Sequence, residues 1–217
     1  MIRVSKLLFA FSLAALIAAP SCAKADDLQS VLSRLNVASK KFHSVSANVI
    51  FDTEMQDPVP DSDTQKGTAY YQRDGSNFKM AAHFHERNGH PSNSAYNITG
   101  GMINFFDGTE THPYNASKWQ SYLILGFGAS GTELAEKWDI KYIGSSTLDG
   151  VNVAQLELVA KDPDVRKNIS KITIWIDPDR GVSLKQRFDE SASVYRICTY
   201  SDIKVNVALP RTAFELK

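Results

Sequence analysis

The chain has 217 residues, with 24 Lys+Arg against 24 Asp+Glu, a formal net charge of zero and two cysteines. That balance excludes the basic stripe a nucleic-acid partner would require. The length suits one domain with a sizeable core.

Arg3 and Lys6 precede Leu7–Ala19, an apolar run too short to span a membrane, and Ala23-Lys24-Ala25 places small residues where a signal peptidase reads them. Residues 1–25 therefore read as an export signal, and residues 26–217 as a single domain. Cleavage removes three basic residues and no acid, leaving 21 Lys+Arg against 24 Asp+Glu. A cut before Cys22 would instead leave a lipid-modified cysteine, although Pro20 stands where such a signal places a small or branched residue. After cleavage at Ala25 only Cys198 remains, so no intrachain disulfide can form. Cys198 alternates with its neighbours in Arg196–Tyr200 and has no histidine beside it, which predicts a buried, inert thiol.

Asp26 or Asp27 can cap a helix whose stripe is Leu28, Val31, Leu32, Leu35, Ala38 and Phe42, with Arg34, Lys40 and Lys41 off it. The period then changes to two: Val45, Ala47, Val49 and Phe51 alternate with Ser44, Ser46, Asn48 and Ile50 in a strand. Residues 56–66, with two prolines and three aspartates, read as an exposed loop. Strands follow at 67–73, 78–87, 94–99 and 102–106, separated by Asp74-Gly75, Asn88-Gly89, Gly100-Gly101 and Asp107-Gly108. Turn pairs at this spacing predict a meander.

After Tyr114 the alternation stops. Trp119–Leu125 is apolar without period, Gly126-Phe127-Gly128 is loose, and Ser130-Gly131-Thr132-Glu133 has the form of a capping box opening a short helix with Leu134, Ala135 and Trp138. Strands resume at 139–143, 151–160, 171–177, 182–188 and 195–205. Asp177-Pro178-Asp179-Arg180-Gly181 turns the hairpin that carries Ile172, Ile174 and Ile176 on one arm, and Val182, Leu184 and Phe188 on the other. The expected class is α+β: a curled antiparallel sheet of about ten strands, an incomplete β-barrel, covered by an N-terminal helix and a mid-chain helical lid.

A sheet with one apolar face either fills its core or curls around a cavity, and the pattern is compatible with both. On the cavity reading, Tyr71, Met80, Phe84, Ile103, Phe105, Ile174 and Phe188 bound it, while Phe127, Leu134 and Trp138 belong to the lid. Arg73 follows Ala69 and Tyr71 in alternation. Its side chain either turns to the concave side, where it must find acceptors, or reaches water just before Asp74-Gly75.

Residues 35–47 (LNVASKKFHSVSA), Gly67–Arg73 followed by Phe78-Lys79-Met80, Phe106-Asp107-Gly108-Thr109, and Ile174-Trp175-Ile176-Asp177 with Gly181 resemble, in order, segments of periplasmic outer-membrane lipoprotein carriers, the LolA-like family. The resemblance covers essentially residues 26–217. It implies an incomplete barrel closed by helices around an apolar cavity for acyl chains, with an arginine on the second strand bonded to the lid, a position that falls on Arg73. It also implies a monomeric periplasmic chaperone, without cofactor or catalysis, that takes acylated lipoprotein or lipid cargo from an inner-membrane donor to an outer-membrane acceptor. Similarly folded domains serve instead as lipid-binding sensors of envelope stress. The sequence departs from the family in being short between Tyr114 and Leu125, and in having Asp74-Gly75 where a proline is usual.

Other constellations lead to no chemistry. His83-x-His85 shares a strand face, with His90 near in sequence, yet no third ligand has metal spacing. Gly126-x-Gly128-x-x-Gly131 matches a dinucleotide fingerprint only on paper, because no parallel strand precedes it. Asp177 and Asp179 belong to a turn, and no set of residues forms a catalytic nucleophile with its base.

Overall fold

The computed structural model describes residues 27–75, 77–115 and 125–216. Residues 1–26, which include the expected export signal and Cys22, and the Trp119–Leu125 run apart from Leu125 itself, lie outside the described residues. Among these, eleven strands form one antiparallel sheet: β1 (Ser44–Met55), β2 (Asp61–Asp74), β3 (Asn77–Arg87), β4 (His90–Thr99), β5 (Met102–Phe106), β6 (Thr111–Asn115), β7 (Trp138–Leu148), β8 (Val151–Ala160), β9 (Lys171–Asp177), β10 (Val182–Asp189) and β11 (Val194–Val205). Their spatial order is β6-β5-β4-β3-β2-β1-β11-β10-β9-β8-β7. The chain meanders from β1 out to one edge, begins again at the other edge, and returns to lay β11 beside β1. β6 and β7 therefore occupy opposite edges of the sheet.

The strands form where apolar residues alternate. Val45, Ala47 and Val49 of β1, Ala69 and Tyr71 of β2, and Phe78, Met80, Ala82 and Phe84 of β3 are buried on one face, each paired across the ladder. Residues 61–66, expected in a loop, instead pair with β1 from Met55↔Asp61 to Ile50↔Lys66. This end of the hairpin runs beyond the core, so polar side chains cost nothing there and the sequence loses its alternation. The β9–β10 hairpin also departs from strict alternation. A bulge between Ser183 and Lys185 sets Ser183 opposite Ile176 and Gln186 opposite Ile174, so both polar residues face inward, where alternation would have turned Ser183 outward. Pro113 is accommodated because β6 is an edge strand.

The sheet is strongly curled. Ile103 of β5 and Phe188 of β10 line one cavity, although six strand spacings separate them, roughly 29 Å along a flat sheet. The concave side holds two cores. One joins β1–β4 with β11, Phe42, Phe127 and Val182; the other joins β8 and β9 with the helices.

Three helices are described. α1 (Leu28–Ser39) is capped by Asp27, whose carboxylate accepts from Ser30 N at 2.7 Å, and it buries Val31, Leu35 and Ala38. Its polar side binds neighbours as well: Arg34 grips Asp179 of the β9–β10 turn through Nε (2.7 Å) and Nη2 (2.6 Å), and Asn36 Oδ1 accepts from Thr132 N. α2 (Gly131–Lys137) opens with the expected capping box of Ser130 and Glu133. Trp138, expected within this helix, is already extended (φ −128°, ψ 142°) and begins β7 opposite Ala160. α3 (Pro163–Arg166), one turn with Asp162 as its cap, has no counterpart in the sequence pattern, because four residues are too few to show a period. No helix among the described residues is long and apolar enough to cross a membrane.

Candidate functional site

The segment from Leu125 to Ser130 lies over the concave face and is stitched to β10. Ser183 N donates to Gly126 O at 2.7 Å and Gly128 N to Gly181 O at 2.9 Å, bracketing a bridge between Phe127 and Val182. Gly126 (φ +81°) and Gly128 (φ +68°) are required here: a Cβ on either would come within 2.1 Å of Ser183 Oγ or 2.3 Å of the Phe42 ring. The ring of Phe127, between them, stacks on Tyr71 at 3.8 Å and 13° and meets Tyr200 edge-on at 4.9 Å.

Arg73 closes the far side of this segment. Its Nη1 donates to the Gly128 carbonyl at 2.6 Å, Nη1 and Nη2 both reach the Glu133 carboxylate, and Nε donates to Gly75 O at 3.1 Å. Glu133 is also the capping-box residue of α2 and accepts from Ser130 N at 2.8 Å. Partial burial works to raise its pKa, but the hydrogen bonds from Arg73 and Ser130 outweigh burial and hold the carboxyl below its ordinary value. One carboxylate thus ends the helix and ties it to the sheet.

Beside the stack is a cavity of about 200 Å³. Its walls are Phe51 of β1, Met80 of β3, Tyr96 and Ile98 of β4, Ile103 of β5, Phe188 of β10, Cys198 and Tyr200 of β11, and Ile169 from the approach to β9; Gln186, Glu190 and Arg196 are its polar members. Its polar interior is hydrogen-bonded. Tyr71 and Tyr200 hydroxyls are 3.1 Å apart, Tyr200 donates to Gln186 Oε1 at 3.3 Å, and Gln186 Nε2 donates to the Leu125 carbonyl. Burial pushes the phenols of Tyr71 and Tyr200 well above their usual value and the Cys198 thiol up to about 12, so all remain neutral. An adjoining pocket, lined by Thr53, Gln65, Phe84, Phe105 and Tyr114, shares Phe51, Tyr96 and Arg196 with the cavity.

The expected lining residues are distributed over these parts. Met80, Ile103 and Phe188 line the cavity, and Phe84 and Phe105 the adjoining pocket. Tyr71 and Phe127 form the stack. Ile174, Leu134 and Trp138 are buried together in the second core, under α1, away from the cavity. Phe51, Tyr96, Cys198 and Tyr200 join the lining unexpectedly, although alternation places each on the concave face. Arg196, on that same face, is a further member that the sequence pattern does not advertise. His83 is engaged on the convex face, donating through Nε2 to Ala213 O at 2.9 Å while Asn97 donates to Phe214 O, so the C-terminal tail covers β3 and β4 from outside. No three His, Cys, Asp or Glu side chains among the described residues gather as a metal site. Asp177 and Asp179 are taken by Arg180 and Arg34.

Eleven antiparallel strands, curled but open between β6 and β7 and covered by helices on the concave side, define a half-barrel that encloses an apolar cavity. No family model and no curated protein matches the sequence. Solved structures do. The MucA/MucB complex of Pseudomonas aeruginosa aligns with 88% of this chain and 61% of that chain at 13% identity and a TM-score of 0.53. An uncharacterized conserved protein from Thermus thermophilus aligns with 86% of this chain and 91% of its own at 12% identity and a TM-score of 0.53. A LolA superfamily protein from Nitrosomonas europaea is also among the neighbours, at 15% identity and a TM-score of 0.42 over 88% of this chain and 98% of that one. The likeness is one of fold. The chain spans about three-fifths of the MucA/MucB-complex chain that it matches.

Proposed function

We propose that this protein is a periplasmic carrier that holds acyl chains of a lipoprotein or lipid in the concave cavity and passes them on across the cell envelope. The observation that supports this most is the apolar cavity of about 200 Å³ beside a covering segment held by Arg73. Transfer of alkyl surface from water into such a space yields about 0.8 kcal/mol per CH₂, so a single chain is held reversibly and no covalent step is needed. In this reading residues 1–25 are a signal peptide, residues 26–217 form one binding domain, and donor and acceptor stand at the inner and outer membranes.

A second reading, a lipid-responsive regulatory domain of envelope stress signalling, is favoured by the likeness to a complex in which MucB is bound to MucA. Native mass spectrometry of the protein purified from its own cell envelope separates the two. A co-purifying acylated protein or lipid, lost on delivery to acceptor membranes, is the expected result for a carrier. A stable protein partner that dissociates when lipid is added would favour the regulator. Empty protein that also fails to bind a fluorescent fatty acid would overturn both.

A further inference from the structure

Arg196 is placed where an apolar cavity has no use for a charge. It shares the concave face of β11 with Cys198 and Tyr200, and it belongs to the interior of the sheet, opposite Thr53 of β1 and Phe188 of β10. Like Phe51 and Tyr96, it borders both the cavity and the adjoining pocket. Its Nη1 lies 2.6 Å from Glu190 Oε1, and Glu190 is presented by the β10–β11 turn, where Glu190 N donates to Val194 O at 3.0 Å. The Arg196 side chain is 44% exposed, so this ion pair is screened and weak. Two neighbouring cations are occupied elsewhere: Arg187 with Asp189 and the Tyr195 ring, Arg87 with Asp63.

We infer that Arg196 is the headgroup site of the cavity: the cargo is an amphiphile whose anionic group, a carboxylate or a phosphate, displaces Glu190 from Arg196 while its alkyl chain enters between Met80, Ile103 and Phe188. This rests on the carrier reading and narrows it, since the diacylglyceryl group of a lipoprotein bears no anion beside its chains. A guanidinium offers five donors in a fork and cannot deprotonate, so it can hold a two-oxygen anion in the place of Glu190. Glu190 keeps the arginine paired when the cavity is empty and is the competitor that every anionic ligand must displace. Thr53 and Gln65, on the wall of the adjoining pocket, add neutral polar groups beside the same spot.

The test compares cis-parinaric acid with its methyl ester, which have the same chain and differ in charge. The protein should bind the acid at least about tenfold more tightly than the ester, the scale of a charge-assisted hydrogen bond. In Arg196→Gln the ratio should fall to near one. In Glu190→Gln the acid should bind several-fold more tightly than in the unmodified protein, while the ester binds as before. Competition by lysophosphatidylglycerol and lysophosphatidylcholine tells the sources apart: preference for the former over both the latter and free fatty acid assigns a phospholipid phosphate, and preference for the fatty acid assigns a carboxylate. Equal binding of acid and ester by the unmodified protein overturns the headgroup site and leaves the cavity reading standing. Binding of neither overturns the cavity reading itself.

Discussion

Arg73 on β2 and Glu133 on α2 are sixty residues apart, and the guanidinium of one meets both carboxylate oxygens of the other while also holding the carbonyl of Gly128. Both partners are partly exposed, so the ion pair contributes on the order of 1 kcal/mol or less. A contact of that size suits a latch, strong enough to bias the segment toward closure and weak enough for a ligand to open.

Arg73→Leu keeps the bulk and removes the donors. The expected outcome is faster amide exchange over residues 126–134 with little change elsewhere, cargo loading at least as good as in the unmodified protein, and impaired transfer to an acceptor. Loading and transfer measured separately check this. Unchanged exchange and normal transfer would leave Arg73 as an ordinary strand-end residue.

The latch should also respond to acid. Because the folded-state pKa of Glu133 is depressed, its contribution is fully present above the ordinary value of 4.5 and is lost as pH falls below it, through the folded value. Asp179 and Asp63 are lowered as well, with Arg34 and Arg87 beside them, so global stability declines over the same range and a local readout is needed. Protection of the 126–134 amides, corrected for intrinsic exchange, should be flat from about pH 7 to 5 and fall below the ordinary carboxylate value of 4.5. Glu133→Gln should show reduced protection already at neutral pH and no further step. A step that survives in the Gln variant would belong to other acids.

Cys198 should be dispensable and unreactive. A thiol held up at about 12 by burial reacts slowly with an aromatic disulfide reagent at mildly alkaline pH in the folded protein and quickly in denaturant. Cys198→Ser should cost about 1 kcal/mol, which moves the thermal midpoint by roughly 2–4 °C in a domain of this size. A larger fall would mean that the cavity wall does not tolerate a hydroxyl beside Tyr200.

The strands and the two longer helices are legible in the sequence because their periods are local properties: Val45–Phe51 and Leu28–Ala38 declare their faces within a few residues. What escapes depends on register or on distant pairing. The bulge at Ser183/Lys185 turns Ser183 inward, and nothing in residues 182–188 announces it. The lining is only partly readable for a related reason. Alternation says that Ile174 and Phe188 both face inward, but whether a residue meets a cavity or a helix depends on which strands α1 covers. α1 and α2 fill the space over β8 and β9, taking Ile174, Leu134 and Trp138 into a solid core, and leave open the space over β3–β5 and β11. Arg196 escapes because a charged residue inside an alternating strand reads as solvent-facing unless the parity of Cys198 and Tyr200 is carried back to it.

The division between cavity and adjoining pocket yields the last prediction. Met80 is buried in the cavity wall, and Phe105 is 36% exposed on the wall of the pocket. A ligand chain seated in the cavity gains most of its free energy from surface like that of Met80 and little from Phe105. Met80→Asp also sets a charge at a buried position in a mainly apolar wall, whereas Phe105→Asp leaves the new carboxylate hydrated. Binding of a fluorescent fatty acid should therefore be abolished by Met80→Asp and weakened only a few-fold by Phe105→Asp. Because Met80→Asp also endangers the fold, Ile103→Trp serves as the second variant: Ile103 is only partly buried, and an indole there occupies the cavity without adding charge. It should abolish probe binding while the thermal midpoint holds or rises. Full binding by Ile103→Trp, or a larger loss from Phe105→Asp than from Ile103→Trp, would move the ligand out of the cavity and into the adjoining pocket.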